Sequence, residues 1–132
     1  IIQTYYPDNE TIQSLAQLDR DAFYENEIYY RKLNDLPPSG KMAAIIISGN
    51  NIEKVREQCS IMYGSIPNIS ELEIYGPAPA PLSKLKGRHR QRFLIHDKKA
   101  RNMQKIVNAW LKNSKSLSSV NISVDIDPFS FV

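Results

Sequence analysis

Three arginines that follow one another at a spacing of two are the residues of this sequence best suited to chemistry. Arg88, Arg90 and Arg92 would share one face of a β-strand, because successive side chains of a strand point to opposite sides. Two lysines, Lys84 and Lys86, precede them. Such a row of cations is suited to binding an extended polyanion through its phosphates. The alternative is a solvated strand edge that charge keeps soluble.

The distribution of charge along the chain favours the polyanion. Residues 82–105 contain nine basic side chains and one acidic side chain, whereas residues 1–36 contain three basic and seven acidic ones. The whole chain of 132 residues nevertheless carries a formal net charge of only +3. Clustering of this kind is typical of a surface that attracts a polyanion rather than of charge spread for solubility.

The segment that precedes the arginines is rich in proline. Pro77, Pro79 and Pro81 alternate with alanine and leucine, which excludes a helix and favours an extended, polyproline-like conformation. Gly87 predicts a turn just before the arginine strand. Because the connection does not read as a tight hairpin, we expect residues 76–88 to form an arm that projects from the domain.

Groups that could catalyse a reaction are scarce. The two histidines, His89 and His96, have no nucleophile or third partner nearby in the sequence, and we expect both at the surface or beside a phosphate. The single cysteine, Cys59, excludes an internal disulfide and a cysteine-cluster metal site, and it fits a reducing compartment. No phosphate-binding glycine loop, metal-ligand spacing or membrane-spanning apolar run occurs. We therefore predict no catalytic, cofactor-binding or metal-ligating residue and no membrane partner.

From residue 37 onward, strand and helix patterns alternate regularly. Strands are predicted at residues 42–48, 71–75, about 90–96 and 120–127. Helices are predicted from a cap at Asn50 or Asn51 to Gly64, and at about 99–113. The order βαββαβ predicts an α+β domain of the ferredoxin-like, split βαβ type, with two helices on one face of a four-stranded sheet. The other face of the sheet would remain available to a ligand.

Residues 1–36 do not belong to this pattern. Residues 1–5 are mostly β-branched or aromatic, which predicts a short strand, and Pro7 would end it. Two helices should follow, one capped by Asp8 or Asn9 and one running from about 19–21 to about 34. The predicted buried face of the first helix consists of Ile12, Leu15, Ala16 and Leu18. We interpret residues 1–36 as the end of a preceding domain and 37–132 as a domain of their own, and the initial Ile suggests a longer parent protein.

Three segments carry a resemblance that extends over essentially the whole chain, in order. They read IIQTYYPD at the start, DAFYENEIYYRKLNDLPP in the middle and GPAPAPLSKLKGRHRQRFLI later, with a closing DIDP. The chain resembles the primosomal protein N′ family of bacterial replication-restart DNA helicases. The resemblance implies that residues 1–36 end the second helicase lobe and that residues 37–132 form the C-terminal domain of an ATP-dependent 3′–5′ helicase in the cytoplasm.

The resemblance also implies binding of forked or single-stranded DNA and docking of primosome proteins. The family's glycine-proline-arginine motif falls on Gly76, Pro77, Pro79, Gly87, Arg88 and Arg90. The predicted DNA-binding residues are Lys84, Lys86, Arg88, Arg90 and Arg92. Where the family often has an aromatic residue, this chain has His89 and Gln91, which favours phosphate contact over base stacking. The family's ATP, magnesium and zinc sites would lie in the parent chain, upstream of these residues.

The family also captures the acidic C-terminal tail of single-stranded-DNA-binding protein, partly through this domain. The candidates here lie at the start of the final predicted helix, where amide groups and cations favour a carboxylate. They are Lys98, Lys99, Arg101 and Gln104.

Two other functions stay open. One is a stand-alone RNA-binding module of ribosomal-protein type, which the basic strand and the open sheet face would also suit. The other is a regulatory ferredoxin-like domain whose cations dock onto an acidic protein. The first predicts a preference for RNA, and the second predicts no measurable nucleic-acid affinity at moderate salt.

Overall fold

The computed structural model describes residues 1–128, in which one four-stranded sheet is combined with four helices. Their order along the chain is α1 (Glu10–Ala16), α2 (Arg20–Leu33), β1 (Lys41–Gly49), α3 (Ile52–Tyr63), β2 (Leu72–Leu85), β3 (Arg88–Asp97), α4 (Met103–Asn113) and β4 (Asn121–Ile126). The strands lie in the order β2-β3-β1-β4, and each neighbouring pair is antiparallel. The predicted ferredoxin-like, split βαβ arrangement is therefore confirmed.

The two helices that cover the sheet begin at asparagine caps. The Asn51 side chain accepts a hydrogen bond from the backbone N–H of Glu53 at 2.8 Å, and the Asn102 side chain accepts one from Lys105 at 3.0 Å. Each cap satisfies a backbone donor that the first turn leaves unpaired. α4 consequently begins at Met103 rather than at about residue 99.

The core lies between one face of the sheet and helices α3 and α4. Its largest side chains, Phe93 on β3 and Trp110 on α4, meet edge to face with ring centroids 5.4 Å apart. Trp110 Nε1 donates to the carbonyl oxygen of Met62 at 3.1 Å, so its polar atom is paired. The other buried members are Ala43, Ile45, Ile47, Val55, Cys59, Met62, Ile95, Met103 and Val107. The apolar stripes of both helices thus face inward, as their periodicity predicts.

The amino-terminal part differs from the prediction in two respects. Residues 1–5 form no strand in the described chain, and Tyr5 is fully exposed. Leu15 and Leu18 are 53% and 89% exposed, although we predicted them on a buried face. α1 packs against α2, but these two leucines stay exposed. A periodic apolar pattern predicts which side of a helix is apolar, but it does not show whether another element covers that side. The division at residue 36 remains a prediction.

The proline-rich segment is not the projecting arm that we predicted. Residues 76–85 continue β2 as the edge strand beside β3, where missing proline N–H groups can face outward. Lys86 and Gly87 alone connect the strands, with φ of +48° and +79°, the positive values of a two-residue hairpin turn. Gly76 has φ +117°, and a Cβ there would lie 2.6 Å from the carbonyl oxygen of Arg92. Only glycine permits this close approach.

An ion pair at the end of β3 fixes the loop that leads to α4. Asp97 is fully buried, and its carboxylate accepts the Arg101 backbone N–H at 2.7 Å and Arg101 Nη2 at 2.5 Å. Arg101 Nη2 also donates to the carbonyl oxygen of Ser70 at 2.7 Å, which ties in the loop before β2. Hydrogen bonds from the Arg101 side chain hold the pKa of Asp97 below its usual range.

We expect Arg101→Ala to lower the free energy of unfolding by about 1 to 3 kcal/mol, because it leaves the buried Asp97 carboxylate without its side-chain donors. Urea unfolding followed by Trp110 fluorescence measures the change. Since the folded pKa of Asp97 is lowered, its contribution is present above the unfolded value of about 3.9 and is lost as the pH falls through the folded pKa. The parent should therefore lose more stability on acidification than the variant.

Lys112→Ala, which removes an exposed cation from α4, is the control and should change stability by less than about 0.5 kcal/mol. Equal stabilities of the two variants would contradict a structural role for the Asp97–Arg101 pair.

Candidate nucleic-acid interface

β3 has two chemically different faces. Phe93 and Ile95 are fully buried against α3 and α4, so Arg88, Arg90 and Arg92 point to the opposite side. We call this side of the sheet, which α3 and α4 do not cover, the open face. The three arginines therefore share the open face, as their spacing predicts.

The arginines are half-buried rather than fully extended into solvent. Arg88 Nη2 donates to the carbonyl oxygen of Ser48 at 3.1 Å, and Arg90 Nη1 donates to that of Leu82 at 3.3 Å. A guanidinium has five N–H donors, so one bond to the backbone orients each group without exhausting it. Both side chains are thus held against the sheet with donors left for a ligand.

The two predicted lysines lie on the β2–β3 hairpin beside this row. Lys84 is paired across the ladder with His89, and Lys86 lies in the turn; both are exposed. Between Pro79 and Lys84 the register shifts, because residues 80–83 stand opposite Arg90 alone. Bulges of this kind change the direction in which side chains point, and they are frequent next to functional sites. The hairpin therefore places Lys86 in the turn beyond Arg88, whereas Lys84, as the partner of His89, points to the side of the sheet opposite the arginines.

The positions between the arginines face the other way. His89 and Gln91 lie on the side of β3 that carries Phe93, and both are half-buried. Neither side chain can therefore contact a ligand on the open face. His96 does lie on the open face, but it is buried rather than at the surface as predicted, and its Nε2 lies 2.8 Å from the carbonyl oxygen of Asp35, with which it forms a hydrogen bond.

Tyr75 is a residue of the open face that we did not predict. It stands beside Leu94 in the ladder between β2 and β3, and its side chain is 54% exposed. Its hydroxyl donates to Glu73 Oε2 at 2.6 Å. The signal was present in the sequence, because placing Leu72 and Ile74 inward requires Tyr75 to point outward.

The predicted tail-binding residues lie in the loop before α4, except Gln104, which is exposed in the first turn of the helix. Lys98 Nζ lies 2.5 Å from a carboxylate oxygen of Glu73. Lys99 Nζ lies 3.1 Å from one of Glu71. Together with the Asp97–Arg101 pair, these contacts give each predicted cation of the loop a carboxylate partner within the domain.

The carboxylate of Glu73 connects this loop to the open face. Hydrogen bonds from Lys98 and then Tyr75 lower the pKa of Glu73 to about 2, so the group is ionised at neutral pH. The same hydrogen bond raises the pKa of Tyr75, so the Tyr75 hydroxyl stays protonated and acts as the donor. Lys98, Glu73 and Tyr75 thus form one continuous chain of polar contacts.

A groove of about 420 Å³ lies beside the same loop. Arg101, Asn102 and Gln104 line one side, and Lys41 and Asp127 line another. Lys41 Nζ and Asp127 Oδ2 are 2.7 Å apart, so these two residues of the groove also form an ion pair.

Within residues 1–128, no group of three or more His, Cys, Asp and Glu side chains is arranged to hold a metal ion. In the same range, no helix combines the length and the apolar character needed to cross a membrane.

Residues 32–129 match the family described as primosomal protein N C-terminal domain. Over 98% of its length, the chain is 40% identical to replication restart protein PriA of Rickettsia felis and 27% identical to that of Bacillus subtilis. Over its whole length, the chain is 28% identical to replication restart protein PriA of Borreliella burgdorferi. It spans 20%, 17% and 20% of these relatives, respectively. The chain therefore belongs to the family of primosomal protein N C-terminal domains.

Proposed function

We propose that this domain binds forked or single-stranded DNA through the open face of its sheet and helps a replication-restart helicase to assemble the primosome. The observation that carries the proposal is the row of Arg88, Arg90 and Arg92 on that face, with the exposed Lys84 and Lys86 on the adjoining hairpin. The relatives are named for replication restart, which supports DNA rather than RNA as the polyanion.

The proposed contacts are to phosphates. Hydrogen bonds between a guanidinium and a phosphate are charge-assisted and among the stronger ones in proteins. Backbone carbonyl groups already orient Arg88 and Arg90, so less side-chain freedom is lost on binding. The exposed Lys84 and Lys86 add longer-range attraction. Contacts to the phosphate backbone carry no sequence information, so binding should tolerate any sequence.

The parent protein would supply the chemistry. We propose an ATP-dependent 3′–5′ DNA helicase of the cytoplasm, with its ATP, magnesium and zinc sites in other parts of the parent chain. In this proposal the domain described here positions DNA and partner proteins and contributes no catalytic residue.

A second proposed contact is with the acidic C-terminal tail of single-stranded-DNA-binding protein, at Lys98, Lys99, Arg101 and Gln104. The groove beside Arg101 and Gln104 favours it. Because every cation here already has a carboxylate partner, the tail must compete with the domain's own acidic groups. Lys98 and Lys99 are exposed and can exchange partners, whereas Arg101 is held by the buried Asp97.

Replacing Arg88 and Arg90 together by alanine should weaken DNA binding and flatten its dependence on salt. Each phosphate contact releases counterions and contributes roughly 0.9 to the slope of log K against log[salt] for duplex DNA, or about 0.7 for single strands. The double variant should therefore lose roughly one to two units of slope. Fluorescence anisotropy with a labelled fork at several salt concentrations measures both quantities.

The matched control is Lys112→Ala combined with Lys115→Ala, which removes the same charge from exposed positions at the end of α4 and just beyond it. It should leave affinity and slope close to the parental values. If the arginine variant stays folded and retains the parental affinity and slope, the row only protects the strand edge. Preferential binding of RNA of equal length would instead favour the ribosomal-protein type of function.

The tail site is tested with a peptide that ends in acidic residues and a free carboxylate. Its addition should shift the amide resonances of Lys98, Lys99 and Gln104. Amidating the peptide's C-terminus should weaken binding, since the site favours negative charge. Glu71→Gln should strengthen binding, because Lys99 loses its competing partner. Shifts confined to residues 42–75 would place the tail elsewhere.

A further inference from the structure

The row of arginines leads directly to an exposed aromatic ring. Along the open face of β3, Leu94 follows Arg92, and Leu94 is the cross-strand neighbour of Tyr75 on β2. A strand rises by about 3.3 Å per residue, so alternate side chains are about 6.6 Å apart. Neighbouring phosphates of an extended single strand are separated by a distance of the same order. A single strand that follows the arginines would therefore reach Tyr75.

The surroundings of Tyr75 resemble a prepared surface for a flat apolar ligand. Leu94 lies beside it, and Ala44, the partner of Leu94 on β1, carries only a methyl group. The Tyr75 hydroxyl is held by Glu73 at 2.6 Å, which restricts the orientation of the ring while leaving its side chain 54% exposed. A ring that is fixed before binding loses little freedom when it stacks.

Two acidic groups of the open face, Glu73 and Asp125, do not prevent a polyanion from approaching this ring. The charge of Glu73 is offset by Lys98, whose Nζ lies 2.5 Å away. Asp125 lies on β4, three strands from β2 in the sheet. At about 4.8 Å per strand this is about 14 Å, which exceeds the screening length of about 8 Å at physiological ionic strength.

We propose that Tyr75 is a stacking platform for an unpaired base of single-stranded DNA whose phosphates lie along Arg88, Arg90 and Arg92. The inference rests on the proposed function and adds a preference for single-stranded DNA over duplex DNA. Aromatic side chains stack on any base, and duplex DNA keeps its bases stacked on one another. Tyr75 should therefore favour single-stranded DNA over duplex DNA without reading the sequence.

The test compares three probes of equal length: an oligothymidylate, a blunt duplex and an abasic strand that keeps the phosphates. Tyr75→Ala should weaken binding of the oligothymidylate roughly 5- to 150-fold, the range found for one stacked base. Binding of the duplex and of the abasic strand should not change. Tyr75→Phe keeps the ring and should retain most of the affinity. Tyr63→Ala, at a similarly exposed tyrosine on α3, should have no effect.

The outcomes separate this inference from the proposed function. If Tyr75→Ala changes nothing while the Arg88/Arg90 variant weakens all probes, stacking is wrong and phosphate binding stands. If Tyr75→Ala weakens all three probes equally, Tyr75 acts through the fold and the inference is wrong. If neither variant changes any affinity, both the inference and the proposed function fail.

Discussion

Phe93 and Ile95 hold β3 in register by filling the space between the sheet and the helices that cover it. The side-chain period of a strand is two, so a slip by one residue would exchange the two faces completely. Arg92 would then enter the core, where an unpaired charge costs several kcal/mol, and the Phe93 ring would be exposed. The edge-to-face contact of Phe93 with Trp110 adds to this preference. The arginines occupy the open face because the apolar residues that follow at alternate positions, Phe93 and Ile95, occupy the core.

The β2–β3 hairpin converts that single row into a two-stranded surface. Gly87 permits a two-residue turn, and Gly76 permits β2 to pass close to the backbone of β3. The turn places Lys86 beyond Arg88 at one end, and the earlier part of β2 brings Tyr75 to the other. The motif of glycines and arginines that carries the family resemblance therefore has a backbone role as well as an electrostatic one.

Most of the sheet and the outward direction of the arginines could be predicted from the sequence, because both depend on the local periodicity of apolar residues. The hairpin could not, since prolines exclude helix but do not reveal whether an extended segment pairs at a sheet edge. The exposure of Leu15 and Leu18 depends on which elements surround α1, and the local sequence pattern does not predict these tertiary neighbours. Arg101 was predicted only as a free cation because its partner, Asp97, is buried by the tertiary fold rather than by any pattern in the sequence.

The central claim is that DNA covers the open face, and thiol footprinting tests it without removing a cation. Ser48→Cys introduces a thiol beside Arg90 on the open face, and Ser60→Cys introduces one on the exposed side of α3. The native Cys59 should react slowly with alkylating reagents, because burial raises its pKa to about 11. Saturating single-stranded DNA should slow alkylation at position 48 and leave the rate at position 60 unchanged. Equal rates at position 48 with and without bound DNA would contradict the account.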